Sequence, residues 1–221
     1  MKLAIMQPYI FPYIGYFHLI DSVDTFVFYD DVNFINSGWV NRNKILVNGK
    51  DFLFTIPSDW SQNKKINEIF VSGQYEIWKN KFFTTLKHSY GKEKHYKECF
   101  KIIEETFSNN NSLNEICKQS IKNILKYLEI EKKIVDSSNV FNNQYLKSSD
   151  RIIDICKKTD ANVYINTAGG KELYSKEDFK KESINLYFIK SKENLNFVSI
   201  IDTIMKYGKE TKKFLKQYEL D

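Results

Sequence analysis

The chain has 221 residues, of which 42% are hydrophobic and 28% are charged, and its formal net charge is +5. This length suits one domain, and the apolar content excludes a wholly disordered chain. Apolar runs stay far below the ~20 residues that a membrane helix requires, so the sequence predicts no membrane insertion.

The positions of the cysteines, acidic residues and histidines argue against a disulfide framework and a structural metal site. Cys99, Cys117 and Cys156 are too few and too scattered for a disulfide framework or a Cys-x-x-Cys metal site. Asp, Glu and His form no cluster at metal-ligand spacing, so we expect no structural metal and a reduced, cytoplasmic location. Only two of the 33 basic residues are arginine, and the lysines are interleaved with acidic residues. That pattern is typical of solvated helix faces, and it leaves a polyanionic partner open.

The first elements of the chain predict an α/β fold. Residues 2–6 and 25–29 are apolar runs, and a short helix begins near Tyr16 between them. Strand, helix and strand in this order form a βαβ unit, which favours a parallel sheet. Residues 44–56 contain Asn48-Gly49 between two strand-like runs, a sequence typical of a β-hairpin.

From residue 75 to about 130 the apolar residues recur at helical spacing, which predicts a helical insertion within a single α/β domain over residues 1–221. Ser112 followed by Glu115 resembles a capping box at a helix start. The fold class is therefore α/β, with a mostly parallel sheet, a βαβ-like opening, a hairpin and a helical insertion. The other elements are predicted as strands at 69–71, 133–136, 163–165 and 186–189, and helices at about 149–159, at 176–181 and at about 198–218 with an interruption near Gly208.

The opening turn, QPYIFPYIGYFHLID at residues 7–21, is rich in aromatic side chains. It leaves the first strand at the edge of the sheet where ligands of open α/β proteins bind. Its tyrosines either line a pocket and stack on a flat ligand, or pack the turn against the helical insertion. Gly15 permits a close approach of other groups. We take Gln7, Tyr13 and Gly15 as candidate substrate-binding residues.

His18 follows Gly15 by three residues, after a strand and a proline turn. This arrangement resembles the HxGH turn of nucleotidylyltransferases, whose histidines contact nucleotide phosphates at a helix start. The second histidine of that turn is absent here. His18 is therefore a candidate catalytic residue, with a structural histidine as the alternative.

Asp30 and Asp31 close the second strand. Two adjacent carboxylates at a strand end can bind Mg²⁺, hold a substrate amine or act as a general base. The alternative is a solvated strand end. Successive side chains point to opposite faces of a strand, so we expect one of the two to reach the cleft, and we favour Asp30 as the catalytic base.

The segment WVNRN supplies four candidate substrate-binding residues, Trp39, Asn41, Arg42 and Asn43. Arg42 is an arginine in a chain that otherwise uses lysine, and the planar guanidinium grips phosphate or carboxylate in a way that lysine cannot. A surface arginine without function is the alternative. Arg151 invites the same interpretation, or a local ion pair at a helix start.

Gly169 and Gly170 lie in NTAGGK, which follows a predicted strand. Such a loop either leaves backbone N–H groups free to bind an anion or is a plain turn. Because loops 7–18, 30–43 and 167–170 all follow strands, and parallel strand ends share one edge, we expect them to converge on one cleft.

Seven motifs run in order along nearly the whole chain: QPYIFPYIGYFHLI, YDDVNF, WVNRNKI, TIPS, SSDRIIDIC, YINTAGG and VSIID. With these motifs the chain resembles the WbqC-like protein family of bacterial surface-polysaccharide gene clusters. The resemblance implies a cytoplasmic transferase of O-antigen (lipopolysaccharide) sugar biosynthesis. Such an enzyme would join an aminoacyl group such as glycine to the amine of a nucleotide-linked amino-deoxy sugar.

The resemblance implies a dTDP- or UDP-linked amino sugar as substrate and leaves the acyl donor open. A free amino acid with ATP and Mg²⁺ fits the opening turn, whereas aminoacyl-tRNA fits the positive charge. Two other function classes stay open: a nucleotide-dependent enzyme of nucleotidylyltransferase type, and a non-catalytic binding module of a polysaccharide pathway.

Overall fold

The computed structural model describes residues 1–108, 111–192 and 197–221. It is an α/β fold with a mostly parallel sheet of six strands and a separate antiparallel hairpin of two. The strands are β1 (Lys2–Met6), β2 (Thr25–Phe28), β5 (Lys133–Val135), β6 (Val163–Thr167), β7 (Asn185–Ser191) and β8 (Tyr218–Leu220) in the sheet, and β3 (Arg42–Val47) and β4 (Lys50–Thr55) in the hairpin.

The order of the strands is β5-β2-β1-β6-β7-β8, and only β8 runs antiparallel to its neighbour. The chain moves from β1 outward to β2 and β5 on one side, then returns to β6 on the other side of β1. The crevice beyond the carboxyl ends of β1 and β6 is therefore the point where the winding direction of the sheet reverses. Open α/β sheets bind their ligands at such points.

The helical periodicity between residues 75 and 130 is confirmed as three helices, and the Ser112 hydroxyl accepts the Glu115 N–H at 3.4 Å, as a helix cap does. Short 3-10 turns occupy Ile66–Glu68, Ser138–Phe141, Ala168–Glu172 and Gly208–Phe214. The α-helices are α1 (Ile14–Asp21), α2 (Tyr75–Tyr90), α3 (Tyr96–Thr106), α4 (Leu113–Tyr127), α5 (Ser148–Lys158), α6 (Lys176–Lys181) and α7 (Ile200–Tyr207).

One predicted strand and the predicted end of one helix are wrong. Residues 69–71 form no strand, because Phe70 and Val71 each make only one isolated bridge. The C-terminal helix is interrupted at Gly208 as predicted, where φ is +54°, and a 3-10 turn follows over Gly208–Phe214. Its predicted end near residue 218 is wrong, because the chain forms β8 there. A Cβ at residue 208 would lie 2.4 Å from Nδ1 of His95, so glycine is required there.

The sheet is covered on both faces, as the continuous burial of the central residues of β1, β2 and β6 requires. Ala4, Phe26 and Phe28 face the core that also contains side chains of α1 and α2–α4. Leu3 and Val27 face the opposite core, which contains side chains of α5 and α6. The helices at 75–130 thus share a core with the sheet, and their description as an insertion stays a prediction. Within the described residues, no helix is long and apolar enough to cross a membrane.

Candidate functional site

A cavity of about 360 Å³ lies at the carboxyl ends of β1 and β6. Met6, the last residue of β1, and Thr167, the last residue of β6, both line it. We call it the switch-point cavity. Its volume lies within the range of small-molecule sites, ~300–1,000 Å³. The residues that line it are Met6, Tyr9, Tyr13, Tyr16, Trp39, Asn43, Lys44, Thr167 and Phe197.

Aromatic rings form most of the wall of the switch-point cavity. The rings of Tyr13 and Phe197 lie 5.4 Å apart, and those of Tyr9 and Tyr16 meet edge to face at 5.3 Å. The side chain of Trp39 is 49% exposed. Burial raises the pKa of Tyr9, Tyr13 and Tyr16, so their hydroxyls stay protonated at neutral pH. The wall can therefore stack on a planar or sugar ring, and the hydroxyls of Tyr9 and Tyr13 can donate hydrogen bonds to it.

The opening turn is held rigidly beside this cavity. The amide of Asn43 donates to the carbonyls of Ile10 and Phe11, at 3.1 and 2.7 Å. The hydroxyl of Ser199 donates to the same Phe11 carbonyl at 2.8 Å, and that of Ser120 accepts the Phe11 N–H at 2.9 Å. These bonds hold Phe11 at a φ of +40°, which a bulky residue rarely adopts. The turn is thus preorganised, and the side-chain amide of Asn43 fixes it through two hydrogen bonds.

Gly15 and Gln7 support the wall from behind. A Cβ at residue 15 would lie 2.3 Å from the Tyr13 ring, so only glycine leaves this ring where it is. The carbonyl of Gln7 accepts the Tyr16 hydroxyl at 3.0 Å. Gly15 and the backbone of Gln7 therefore position two of the tyrosines that line the cavity.

Lys44 is the charged residue among the described lining, and sequence reasoning missed it. Its ammonium lies 3.1 Å from the carboxylate of Asp51 on the neighbouring strand, and 35% of its side chain is exposed. Phe197 was missed as well. The signal for Lys44 was its place two residues after Arg42 in the same strand, but one lysine among so many does not stand out. Phe197 approaches from a distant part of the chain, which no local pattern shows.

Arg42 lines a different cavity, of about 340 Å³, together with Asn41. We call it the arginine cavity. The guanidinium of Arg42 lies 5.4 Å from the ring centre of Trp39, whose indole lines the switch-point cavity. The Asn41 amide donates to the Ile56 carbonyl at 2.9 Å, which fastens the segment to the hairpin. The three predicted loops thus each supply lining residues to the switch-point cavity, while Arg42 belongs to its neighbour.

Asp30 is fully buried in an ion pair. Its carboxylate lies 2.7 Å from the Lys118 ammonium of α4 and accepts hydrogen bonds from Asn114 at 3.0 Å and Ser137 at 2.6 Å. Only 1% of Asp30 is exposed, and it is not among the described residues that line either cavity. A general base must reach the proton that it removes. The catalytic role of Asp30 stays a prediction, and this geometry gives the residue a structural task.

Asp31 is buried on the other side, where the guanidinium of Arg151 grips it with two contacts of 2.6 Å. The hydroxyl of Ser138 and the amide of Gln144 donate to the same carboxylate. Burial raises the pKa of Asp31, but the bonds from Ser138 and Arg151 outweigh it, and the net pKa is lowered. Arg151 itself is 4% exposed. Both residues therefore fasten α5 to the end of β2, and the expectation that one aspartate reaches the cleft has no support here.

His18 lies on α1, facing β7 and the C-terminal segment. Its Nε2 contacts the Phe214 carbonyl at 3.0 Å, and its Nδ1 contacts the Ser191 hydroxyl at 3.1 Å. Because a carbonyl only accepts, Nε2 carries the proton. His18 is 1% exposed and is not among the described residues of the switch-point cavity. This is the structural alternative of the sequence analysis, and a catalytic role stays a prediction.

Gly169 and Gly170 lie in the 3-10 turn that follows β6. A Cβ at Gly170 would come within 2.8 Å of the Asn166 amide, whereas one at Gly169 would meet nothing within 4 Å. The Gly170 carbonyl accepts the N–H groups of Leu173 and Tyr174, which closes the turn. Of this segment, Thr167 lines the cavity and the glycines shape the turn behind it.

Most of the residues that line the cavity lie in the sequence motifs QPYIFPYIGYFHLI, WVNRNKI and YINTAGG. The model of the WbqC-like protein family matches residues 7–214. The chain belongs to the WbqC-like protein family. A relative from Mycobacterium tuberculosis, "Uncharacterized protein Rv1507c", is 24% identical over 232 residues, which is 97% of each chain. No solved structure matches the chain significantly. The family match spans all of the described residues that line the switch-point cavity except Met6.

Proposed function

We propose that this WbqC-like protein binds a nucleotide-linked amino-deoxy sugar in the switch-point cavity and transfers an aminoacyl group such as glycine to the sugar amine. The observation that carries the proposal is the aromatic cavity at the reversal point of the parallel sheet. Its wall combines rings for stacking with a cation, which are the groups that recognise a base or sugar ring and its phosphates.

The likeness to surface-polysaccharide proteins supplies the substrate class. In this proposal the rings of Tyr13, Trp39 and Phe197 hold the base or sugar, and the ammonium of Lys44 pairs with the diphosphate. The ion pair of Lys44 with Asp51 is partly exposed, so exchange of the carboxylate for a phosphate costs little. The reaction takes place in the cytoplasm, where nucleotide sugars of dTDP or UDP type are made.

Amide formation releases a proton from the attacking amine, and the described lining residues include no carboxylate or histidine. The base therefore comes from the second substrate or from solvent, and we assign no step to Asp30. The donor is an amino acid activated with ATP and Mg²⁺, whose acyl–phosphate bond breaks and releases the phosphate group, or an aminoacyl-tRNA, whose ester bond breaks and releases the terminal ribose hydroxyl of the tRNA.

The same observation favours a second candidate function, a binding module that holds a nucleotide sugar for a partner enzyme of the pathway. Such a module needs the stacking wall and no acid–base groups. It predicts binding without turnover. A nucleotidylyltransferase is less well supported, since His18 is buried away from the cavity.

Mass spectrometry tests the proposal directly. The protein is incubated with a dTDP- or UDP-linked amino sugar, together with glycine, ATP and Mg²⁺ in one arm and glycyl-tRNA in the other. A product heavier by one glycyl group, formed in either arm, supports the transferase. Binding without any product supports the module, and neither binding nor product contradicts both.

A matched pair of variants ties the activity to the cavity. Tyr13→Ala removes a ring from the wall, whereas Tyr145→Ala removes a ring that is 76% exposed and is not among the described lining residues. We expect only Tyr13→Ala to lose binding and product. If both variants lost binding and product to the same extent, the activity would not depend on the switch-point cavity.

A further inference from the structure

The arginine cavity has the features of a second ligand site. Among the described residues that line it, Arg42 is the only charged one, and hydroxyl, amide and indole groups surround it. The polar lining includes Ser37, Asn41 and Ser58, and the indole is that of Trp60. A lone cation among hydrogen-bond donors favours an anionic ligand.

The guanidinium of Arg42 is held at one end and unpaired at the other. Its Nη2 donates to the Ser37 carbonyl, and its face lies over Trp39. Its Nε–H is shielded from solvent and has no hydrogen-bond partner among the described residues. The Ser58 hydroxyl, which also lines this cavity, is equally shielded and unpartnered. Leaving buried donors unsatisfied costs free energy, so a native fold that keeps two at one place calls for an acceptor there.

The acid that follows Ser58 in the chain, Asp59, is already paired with another cation. Its carboxylate accepts from the Phe70 N–H at 2.8 Å and pairs with Lys64 at 3.0 Å. These bonds lower the pKa of Asp59 and use both of its oxygens. The charge of Arg42 is therefore available to a ligand.

The other arginine of the chain shows what this residue type provides. Arg151 contacts both oxygens of the Asp31 carboxylate through Nη2 and donates through Nε to the amide oxygen of Asn143, so its planar guanidinium fastens two side chains at once. Lysine makes up 31 of the 33 basic residues and supplies positive charge elsewhere in the chain. We therefore expect the two arginines at positions where a planar guanidinium is needed.

We infer that the arginine cavity binds an oxyanion, the phosphate or carboxylate group of a small molecule, through the Nε–H of Arg42 and the hydroxyl of Ser58. The guanidinium turns toward the ligand on binding, and the stacked indole of Trp39 responds with it. Trp39 lines the switch-point cavity and lies against the guanidinium of Arg42, so this indole connects the two cavities. This inference stands independently of the proposed function, because an oxyanion at Arg42 requires no nucleotide sugar.

Tryptophan fluorescence tests the inference, since Trp60 lines the arginine cavity and Trp39 lies against the guanidinium of Arg42. The full chain is titrated with inorganic phosphate and, separately, with acetate, with sodium chloride added to keep the ionic strength constant. We expect saturable binding of at least one oxyanion. Arg42→Lys and Ser58→Ala should each weaken it by about tenfold or more, because each removes a donor to a charged group.

Lys50→Gln is the matched control, because it removes an exposed cation of the same hairpin that is not among the described lining of either cavity. Lys44→Gln is a separate arm that reports an anion in the switch-point cavity. Saturation by phosphate, or by acetate alone, with loss only in the Arg42 and Ser58 variants, supports the site and identifies the oxyanion. Equal affinity in wild type and both variants would overturn it. A loss in Lys44→Gln with none in Arg42→Lys would also overturn it, by moving the anion to the switch-point cavity. If Arg42→Lys does not fold, as judged by its circular dichroism, Ser58→Ala decides.

Discussion

Two regions at the carboxyl edge of the same sheet have opposite characters. Beyond β2, Asp30, Asp31, Lys118 and Arg151 form a corner that is closed by two buried ion pairs, and each carboxylate has further hydrogen bonds. Beyond β1 and β6, tyrosine rings and a tryptophan surround an open cavity. We call the first region the ion-pair corner.

This difference indicates that the ion-pair corner stabilises the fold and that the switch-point cavity is the region able to bind a ligand. The ion-pair corner joins α4 and α5 to the end of β2, so its charges are already occupied by one another. The switch-point cavity leaves aromatic faces and one partly exposed ammonium available. Charged residues at a strand end thus carry structure here, and aromatic residues carry the candidate site.

The largest expected effect lies in the ion-pair corner. Arg151→Met leaves the Asp31 carboxylate buried without its cation, which should lower the free energy of unfolding by ~3–5 kcal/mol. Urea denaturation measures this loss. Glu182→Gln serves as control, because its pair with Lys157 is exposed on both sides and should matter by less than ~1 kcal/mol. A similar small change in both variants would contradict a structural corner.

Asp30→Asn should have a smaller effect of the same kind. Lys118 keeps Glu115 at 3.1 Å, so the variant loses one partner of the ammonium and not all of them. We expect a loss of ~1–3 kcal/mol in urea denaturation, with nucleotide-sugar affinity unchanged. A drop in turnover at unchanged stability would instead support Asp30 as a general base and would contradict the division of roles between the two regions.

Gly15→Ala sharpens the contrast from the cavity side. The new Cβ displaces the far end of the Tyr13 ring, which is free to move, so the fold should tolerate the change. The affinity for a dTDP-amino sugar should fall by up to about tenfold through the lost stacking. Gly73→Ala is the matched control, since its Cβ meets nothing within 4 Å. Calorimetric titration of both variants, with melting curves, checks the prediction; an unchanged affinity in Gly15→Ala would count against Tyr13.

The smallest effect is a pH dependence of the ion-pair corner. The pKa of Asp31 is lowered from its ordinary value of 3.8, so this residue stabilises the fold above that pH and loses its contribution as the pH falls through the lowered value. The difference in unfolding free energy between wild type and Asp31→Asn should therefore be constant from pH 7 to 5 and shrink below about pH 4. A difference that stays the same down to pH 3 would show that the carboxylate is not the stabilising form.

The sequence predicts where the strands and helices lie better than it predicts which cavity a side chain lines. The apolar runs of β1 and β2, the Asn-Gly hairpin and the helical period of α2–α4 are local signals, and the structure has these elements. Local signals could not predict which of the two cavities Arg42 lines. It depends on the hairpin standing apart from the main sheet, with Asn43 bonded to the opening turn and Arg42 directed to another cavity.

The roles of Asp30 and Asp31 escaped prediction for a related reason. Their partners Lys118 and Arg151 lie 88 and 120 residues further along the chain, and only the tertiary fold brings them together. Adjacent carboxylates look alike in sequence whether a ligand or a buried cation meets them. Phe197 shows the same limit within the cavity, since its ring reaches Tyr13 only through long-range packing.

A crystal structure of the protein with a dTDP-linked amino sugar tests the central claim most directly. We predict that the ligand lies in the switch-point cavity, with a ring against Tyr13 or Trp39 and its phosphates near Lys44. A sugar nucleotide bound at the ion-pair corner, or anywhere else that leaves the rings of the switch-point cavity without contact to it, would contradict the account.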